Sequence, residues 1–288
     1  MAVEASGLVD WGALTYYSAK SLAGPSDDET VRLLGGWVMD SNGASEPRLC
    51  KNHDADSNGY SWVVCPEALH REIYLCTNST TSKPAMCQRP APQLQALRAT
   101  ATPQLSKNVS ACALDVPGLR KRLPIRGLAL EIHLNLSFCK GPTVETASGE
   151  VGVNVLQSPS GDEVTRVGYS FASQTLFVER ATSSKLPAAR PGGGVLNATG
   201  KQGYGVRTRE VAPLPEVKVE GALRLVLLLD QSILTVFAND AVVITTRVYT
   251  AGGNASADVS FFAEGGRGGG AGGAPRVEGS VTGWPLSL

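Results

Sequence analysis

The sequence has neither a net charge nor a long apolar run. Lys and Arg together number 26, as do Asp and Glu, so no excess of positive charge favours nucleic acid or an anionic membrane surface. Apolar runs such as 225–229 are far shorter than the roughly 20 residues that cross a bilayer. We therefore expect neither nucleic acid nor a membrane as a partner.

The chain also lacks the spacings of metal sites. Its cysteines form no Cys-x-x-Cys pair, and its three histidines (His53, His70 and His133) are scattered. Since zinc ligands recur at short spacings, we expect no metal site, and no motif points to an organic cofactor. An even number of cysteines is compatible with disulfides, but six cysteines permit fifteen pairings. The six are Cys50, Cys65, Cys76, Cys87, Cys112 and Cys139.

The composition is rich in apolar residues, glycine and proline. Hydrophobic residues make up 42% of the chain and charged residues only 18%, which is typical of a globular protein with a sizeable core. A length of 288 residues is enough for one large or two moderate domains. The 32 glycines and 17 prolines favour many strands joined by turns.

Acceptor sites for N-glycosylation are more frequent than chance predicts. Five of the ten asparagines begin Asn-x-Ser/Thr, where the Ser and Thr content predicts about one or two. This excess predicts passage through the secretory pathway, to an extracellular or vacuolar location. Residues 1–20 have no basic segment followed by an apolar one, so we expect that the true beginning, with its signal peptide, is missing. The five sites are Asn78, Asn108, Asn135, Asn197 and Asn254.

Residues 128–138 alternate strictly between apolar and other side chains, which predicts a half-buried strand. The alternation puts Asn135 on the outer face, where a glycan would fit, and gives His133 an outward, solvated position without a catalytic role. Further strands recur about every ten residues, as in a β-sandwich. Cys112 and Cys139 flank the strand 128–138, so theirs is the pairing that we expect first.

The stretch 212–249 predicts a three-stranded meander in the core of an all-β domain. Residues 242–248 alternate with period two, and polar clusters at 230–232 and 239–240 supply the turns. The glycine-rich run 264–276 predicts a flexible loop, since it cannot bury enough apolar surface to offset the entropy of ordering. It lacks the strand, helix and spacing of a phosphate-binding loop.

The meander resembles the C-terminal β-sandwich of glycoside hydrolase family 32, which contains invertases, inulinases, levanases and fructan exohydrolases. The family carries an Ala-Pro-Leu-Pro segment like the one that begins at Ala212, followed by an Asp-x-Ser-x-x-Glu-x-Phe strand pair. Thr235 stands where the family usually has Glu. The matching positions are Leu223, Arg224, Asp230, Ser232, Phe237, Thr245, Arg247 and Tyr249.

The N-terminal part resembles the last propeller blade of the same family and the linker that follows it. The blade positions that match are Asp10, Gly12, Tyr16, Tyr17, Ala19, Lys20, Arg32, Gly36 and Trp37. The later matches are Arg71, Glu72, Gln88, Pro90, Leu94, Leu97 and Arg98, with His70 and Gln93 as departures.

The resemblance implies an all-β chain, with a lectin-like (concanavalin-like) two-sheet β-sandwich preceded by the remnant of a β-propeller blade. Residues 1–91 would be the end of a five-bladed propeller and 92–98 a short linker helix. Residues 99–288 would form the sandwich.

None of the family's three catalytic motifs is in this chain. A retaining glycosidase needs a nucleophile and an acid/base carboxyl. The family supplies them, with a stabilising Asp, from Trp-x-Asn-Asp-Pro, Arg-Asp-Pro and Glu-Cys motifs in the blades upstream. Cys65-Pro66-Glu67 is no substitute, since Val64 occupies the Glu position. The resemblance implies a parent enzyme that cleaves sucrose or a fructan without metal or cofactor, and an inactive fragment.

Two residues match family positions near the sugar-binding funnel. The resemblance implies that Asp10 hydrogen-bonds a sugar hydroxyl and that Trp37 stacks on a sugar ring. It is equally open that Asp10 caps a turn and that Trp37 packs between blades. The segment around Thr235 can face a neighbouring subunit in some members of the family, but Thr235 lacks the carboxylate for such a contact. Asp230 and Ser232 are assigned to a turn.

A rival interpretation makes the chain a non-catalytic carbohydrate-binding or assembly module. Lectin-like sandwiches bind sugars on their sheet faces, and the sandwich could also support self-association. Aromatic residues are only 6% of the chain and form no outward cluster, so the sequence offers this alternative little support.

Overall fold

The computed structural model describes residues 8–12, 16–24, 30–38, 68–112, 118–139, 149–185, 208–265 and 275–287. These residues form sixteen strands and a few short helices, so the all-β prediction is confirmed. The expected glycine-rich loop and the Cys65-Pro66-Glu67 segment lie largely or wholly outside the described residues. Within the described part, no helix is long and apolar enough to cross a membrane.

A four-stranded antiparallel sheet opens the chain, and we call it the blade sheet. Its strands are β1 (Tyr16–Ala23), β2 (Val31–Val38), β3 (Arg71–Thr77) and β4 (Pro84–Pro90). They lie side by side in the order β1-β2-β3-β4, the meander that builds a propeller blade. A 3-10 helix, Pro92–Leu97, follows it. Pro at the start of this helix loses no hydrogen bond, because that N–H would have had no partner within the helix.

Two six-stranded sheets form the sandwich. One has the order β11-β10-β9-β8-β15-β6 and the other β14-β13-β12-β7-β16-β5. The bounds are β5 Leu105–Ser110, β6 Gly118–Arg126, β7 Ala129–Phe138, β8 Glu150–Gln157, β9 Thr165–Ser170, β10 Thr175–Glu179, β11 Arg209–Pro213, β12 Ala222–Asp230, β13 Ile233–Ala238, β14 Val242–Arg247, β15 Asp258–Glu264 and β16 Val277–Pro285. A short helix α1, Glu216–Glu220, precedes β12, and a 3-10 turn, Gly253–Ala255, precedes β15.

The predicted meander is β12–β13–β14. Its turns fall at the predicted polar clusters, where Gln231, Asn239 and Asp240 have φ values of 51°, 47° and 56°. Left-handed residues of this kind match the right-handed twist of hairpin strands and are best tolerated by Asn and Asp, which fill two of the three loop positions between Ala238 and Val242. The turn chemistry therefore sets the register of both hairpins.

Both faces of the meander are buried, which distinguishes it from an ordinary sandwich edge. Leu234, Val236 and Ala238 face the core between the two six-stranded sheets. Ile233 and Phe237 point the other way and pack against the blade sheet or the segments next to it. A strand buried on both sides needs apolar residues at consecutive positions, which explains the continuous run in β12.

The strand β7 follows the predicted alternation on its inner face but not on its outer face. Leu130, Ile132 and Leu134 are buried in the core as expected. Glu131, on the outer face, is also buried, because the side chains of Arg98 and Trp284 lie over it. The prediction that His133 is solvated is wrong: its ring is half-buried, bonded to Glu131 and in edge contact with Trp284.

Two disulfides cross-link the described residues. Cys112 is joined to Cys139, and Cys76 to Cys87. The first connects the segment after β5 to the end of β7, and the second ties β3 to β4 near the tip of their hairpin. Each removes conformational freedom from the unfolded chain. Cys50 and Cys65 lie outside the described residues.

Candidate functional site

The junction between the blade sheet and the meander contains a buried polar network centred on Asp10. Oδ1 of Asp10 accepts hydrogen bonds from the backbone N–H groups of Gly12, at 2.9 Å, and of Thr245, at 2.8 Å. Its Oδ2 accepts one from Nη2 of Arg71 at 3.0 Å. The Asp10 side chain is 4% exposed. This carboxylate therefore joins the segment before β1, the strand β3 and the strand β14.

Arg71 is the cation of this network and is fully buried. Its guanidinium lies 4.1 Å from the ring centroid of Tyr16, and Nη1 donates to Oε1 of Gln88 at 3.3 Å. Gln88 in turn donates from Nε2 to the carbonyl oxygen of Val9 at 2.9 Å. Separating the two partners of a buried charge pair would leave each charge uncompensated in the protein interior. The pair therefore favours the one arrangement of its elements in which both partners meet.

Asp10 and Trp37, the two predicted sugar-binding residues, differ in their access to solvent. Both oxygens of Asp10 already accept hydrogen bonds from the protein, and its bond to Gly12 is the turn cap that the sequence left open. Trp37 lies on β2 with 47% of its surface exposed. Its indole could stack on a sugar or on another blade. Sugar binding by either residue stays a prediction.

Thr235, which replaces the family's usual Glu, lies on the face of β13 that meets the blade sheet. It is buried, and its Oγ1 lies 3.4 Å from Oγ1 of Thr245, its cross-strand neighbour. The backbone N–H of Thr245 is the one that Asp10 binds. Position 235 in this chain thus belongs to the packing of the junction.

A cleft of about 690 Å³ opens beside this network, between the N-terminal segment, the β3–β4 hairpin and α1. Trp11 and Met86 contribute apolar walls, and Asn78, Glu216 and Asn239 contribute polar atoms. Such a volume and such a mixture of walls suit a small organic ligand.

The two carboxylates in this cleft are bonded to the hairpin and the meander. Oε1 of Glu216 accepts a hydrogen bond from Nδ2 of Asn78 at 2.7 Å, while its buried Oε2 has no partner among the described residues. Glu220 accepts from Oγ of Ser79 and Nδ2 of Asn239, both at 3.0 Å. These contacts dock the hairpin on α1.

Asp230 is a carboxyl whose pKa is raised above its ordinary value. Burial at the end of β12 raises this pKa, and the charge of Arg247 opposes the shift. A raised pKa is a property of glycosidase acid groups, but such an acid acts with a second carboxylate across the scissile bond. Asp230 instead closes the β12–β13 turn opposite Ile233, as the sequence predicts.

A second polar cluster lies on the outer face of the sandwich. Nε and Nη2 of Arg98 each donate to Glu131 at 2.7 Å, and the Arg98 guanidinium lies 3.9 Å from the Trp284 ring. Burial alone would raise the pKa of Glu131, but the hydrogen bonds from Arg98 and His133 lower it to about 2. This cluster fixes the linker against the sandwich.

Two further buried carboxylates gave no signal in the sequence. Glu163 accepts hydrogen bonds from the N–H groups of Lys185, Ala251 and Gly252 and from the hydroxyl of Ser256. Burial would raise the pKa of Glu163, but these donors lower it. Glu210 pairs with Arg180 at 2.7 Å, with both side chains almost inaccessible. Their partners are 22 to 93 residues away, so no local motif could have revealed them.

Four of the five predicted glycosylation sites are among the described residues. Asn108, Asn135 and Asn254 are exposed, whereas Asn78 is half-buried; Asn197 lies outside the described part. Glycosylation of each stays a prediction. One group of potential metal ligands occurs in the described residues, namely Cys112, Cys139 and Glu278. Its two sulfurs are joined to each other, so they are not available as thiolates.

Comparison with protein families identifies the sandwich. Residues 93–283 match the C-terminal domain of the glycosyl hydrolases family 32, which covers most of the chain. A curated protein of Aspergillus rugulosus, ecdE, provisionally named a glycosyl hydrolase, is 27% identical over 244 residues. The match covers 84% of this chain and 29% of that protein, so the chain spans less than a third of its relative.

Solved structures of enzymes share the fold over nearly the whole chain. The exo-inulinase of Aspergillus awamori matches with a TM-score of 0.63 at 19% identity, over 97% of this chain and 45% of its own. The β-fructofuranosidase of Aspergillus kawachii matches with a TM-score of 0.62 at 17% identity, over 96% and 47%. The fructan 1-exohydrolase IIa of Cichorium intybus, in complex with 1-kestose, gives 0.62 at 16% identity, over 96% and 49%. The chain belongs to glycosyl hydrolase family 32, of which it contains the C-terminal domain.

Proposed function

We propose that this chain is the C-terminal part of a β-fructofuranosidase-like glycoside hydrolase and that its own role is structural. The observation that carries the proposal is the junction, where Asp10 and Arg71 join the blade sheet to the meander. Such a junction holds the last blade of a propeller on the sandwich. The blade would then form part of the wall of an active site whose catalytic carboxylates lie elsewhere.

The parent enzyme would hydrolyse sucrose or a fructan by double displacement. The names of the matching structures support this substrate class, since they include an exo-inulinase, a β-fructofuranosidase and a fructan exohydrolase. A retaining mechanism uses one carboxylate as nucleophile and a second as acid and then base, about 5 Å apart. Both described carboxylates of the cleft accept hydrogen bonds from the hairpin or the meander, which supports an inactive fragment.

We further propose that the parent passes through the secretory pathway. Two disulfides support an oxidising compartment, since disulfides are rare in cytosolic proteins. Five glycosylation motifs, where chance predicts about one or two, support the same location.

An assay of the purified 288-residue chain tests the proposal. Sucrose and inulin are incubated with the chain, and released fructose is measured against a buffer blank. We expect no release above the blank. Turnover that follows the chain through purification would overturn the structural role.

A second candidate function is sugar binding without catalysis, and the cleft at the junction favours it. Oε2 of Glu216, which has no hydrogen-bond partner within the part of the chain that the structure describes, would accept a hydrogen bond from a sugar hydroxyl, and Trp11 would supply an apolar face. Titration of the chain with fructo-oligosaccharides by calorimetry tests this candidate. Binding that Glu216→Gln weakens would support it, and the absence of heat at millimolar sugar would exclude it.

A further inference from the structure

The Asn78 side chain differs from the asparagine side chains of the other described glycosylation motifs, because both Oδ1 and Nδ2 of its amide already make hydrogen bonds within the protein. Oδ1 accepts hydrogen bonds from the N–H groups of Thr80, at 3.0 Å, and Thr81, at 2.8 Å, and from the Thr81 hydroxyl at 3.1 Å. Nδ2 donates to Oε1 of Glu216 at 2.7 Å. The amide is therefore held in one orientation inside the turn that joins β3 to β4.

The Glu216 carboxylate needs this hydrogen bond from Asn78 to offset its burial. Glu216 is 8% exposed, and its Oε2 has no partner among the described residues. Asn78 thus supplies the side-chain donor of a buried acidic group. A buried charged group that loses its partner is strongly destabilised, so Asn78 and Glu216 stabilise the docked hairpin together.

The hairpin itself is held rigidly around the motif. The Cys76–Cys87 disulfide closes it two residues before Asn78. The backbone N–H of Asn78 donates to the carbonyl of Lys83 at 2.9 Å, and that of Ser82 to the carbonyl of Asn78 at 2.8 Å. Ser79 adds a second contact to α1 through Glu220. The amide has little freedom to turn away from Glu216 while the hairpin is docked.

N-glycosylation takes place at the Nδ2 atom. Nδ2 attacks the anomeric carbon of an oligosaccharide carried on a lipid diphosphate. The carbon–nitrogen bond forms, the carbon–oxygen bond to the lipid diphosphate breaks, and Nδ2 loses one proton. The product carries a bulky sugar on the atom that lies 2.7 Å from Glu216 in this structure.

We propose that glycosylation of Asn78 and docking of the β3–β4 hairpin on α1 exclude each other. Asn78 is modified only in chains whose hairpin has not yet docked, and a glycan there prevents docking. Asn108 and Asn135 are exposed on the sandwich, together with Ser110 and Ser137 of their motifs, and carry no such conflict. Asn78 is accordingly a conditional modification site, whose occupancy reports whether the β3–β4 hairpin has docked on α1.

The test is secretion of the full 288-residue chain from a eukaryotic host, behind a cleavable signal peptide. Glycan release in ¹⁸O-labelled water, followed by peptide mass spectrometry, gives the occupancy of each motif in the monomeric fraction. We expect Asn78 occupancy to be lower than that of Asn135 by about fivefold or more, the ratio that corresponds to ~1 kcal/mol. Exposed motifs in the same molecules serve as internal controls.

Two variants of Glu216 separate docking from the motif itself. Glu216→Ala removes the acceptor, so Asn78 occupancy should rise while that of Asn135 stays constant. Glu216→Gln keeps an acceptor oxygen and should leave Asn78 occupancy low. Glu278→Ala, an exposed carboxylate on β16, is the matched control and should change neither.

A stability measurement keeps the proposal testable if Glu216→Ala fails to fold. Thr80→Ala destroys the motif and leaves the Asn78 amide in place. Any wild-type molecules with a glycan on Asn78 should unfold at a lower temperature than Thr80→Ala. Full occupancy of Asn78 in folded wild-type chain, with the same unfolding temperature as Thr80→Ala, would overturn the proposal.

Discussion

Nη2 of Arg71 lies 3.0 Å from Oδ2 of Asp10, and neither side chain is more than 4% exposed. Asp10 also binds the backbone of Thr245, 235 residues away in the chain. The pair therefore connects the first described segment, the blade sheet and the meander at one point. Buried ion pairs often add little net stability, and their best-supported role is to select one arrangement of the elements that they join.

Replacing Asp10 with alanine should destabilise the chain by about 3 to 5 kcal/mol, because it leaves the fully buried Arg71 guanidinium without its anion. Urea denaturation of the wild type and of Asp10→Ala measures this difference. Glu278→Ala removes an exposed carboxylate and serves as the control, with little expected change. A loss as small as that of the control would show that the pair does not hold the junction.

Glu131 should make the stability of the chain depend on pH. Its pKa is about 2 in the folded chain, below the ordinary value of 4.5. A lowered folded-state pKa means that the contribution is complete above about pH 4.5 and is lost as the pH falls toward 2. After allowance for screening by solvent, we expect the ionised Glu131 to contribute about 2 kcal/mol to the free energy of unfolding. Unfolding of the wild type and Glu131→Gln between pH 2 and 6 tests this: the two stabilities should converge in acid, and a constant difference would contradict the assignment.

Glu163→Ala should loosen the segment around residues 251–256. The substitution leaves the N–H groups of Lys185, Ala251 and Gly252 without their shared acceptor. Hydrogen exchange at these three amides should therefore accelerate, while amides of β7 remain protected. Asp162→Ala, at the exposed neighbouring carboxylate, is the matched control and should leave exchange unchanged. Unchanged protection in Glu163→Ala would show that the segment is ordered by other contacts.

Gly152 and Gly161 form a matched pair for the packing of the sandwich. A Cβ atom on Gly152 would lie 2.0 Å from the carbonyl oxygen of Val167 on the adjacent strand. Gly152→Ala should therefore push β8 from β9 and destabilise the chain by about 3 kcal/mol or more. Gly161 has φ of 77° and open space around it, so Gly161→Ala should cost only about 1 kcal/mol from backbone strain. Equal losses, measured by urea denaturation, would contradict this account.

Trp37 and Trp284 should respond differently to alanine. Trp284 is buried against Arg98 and His133, so its loss should cost about 3 to 5 kcal/mol. Trp37 is 47% exposed, and Trp37→Ala should change the free energy of unfolding much less, by about 1 kcal/mol or under. Denaturation followed by far-UV circular dichroism tests both. A large loss in Trp37→Ala would assign Trp37 to the packing of this chain rather than to a surface for sugars or another blade.

The fold could be predicted from the sequence because strands and turns depend on residues that are close together in the chain. The alternation in 242–248 and the Asn239-Asp240 turn are only a few residues apart in the chain, and together they specify the β13–β14 hairpin of the meander. The sequence placed His133 correctly on the outer face of β7 but wrongly predicted that it is solvated, because alternation shows which residues leave the core but not what covers them. Here Arg98 and Trp284, from distant parts of the chain, provide the cover.

The junction could not be derived from the sequence, since its partners are far apart in the chain. Asp10 matched a family position, but nothing near it indicates that its carboxylate binds Arg71 and the backbone of Thr245. Similarly, the Asn78 motif gives no sign that its amide docks on Glu216, 138 residues away. Long-range polar contacts of this kind depend on the assembled fold.

The coding sequence upstream of Met1 in full-length transcripts tests the central claim most directly. If the chain is the C-terminal part of a fructan- or sucrose-cleaving enzyme, the reading frame should continue upstream. It should contain, in order, the Trp-x-Asn-Asp-Pro, Arg-Asp-Pro and Glu-Cys motifs. An in-frame stop codon just before Met1 in every full-length transcript would contradict the claim and favour an independent, non-catalytic protein.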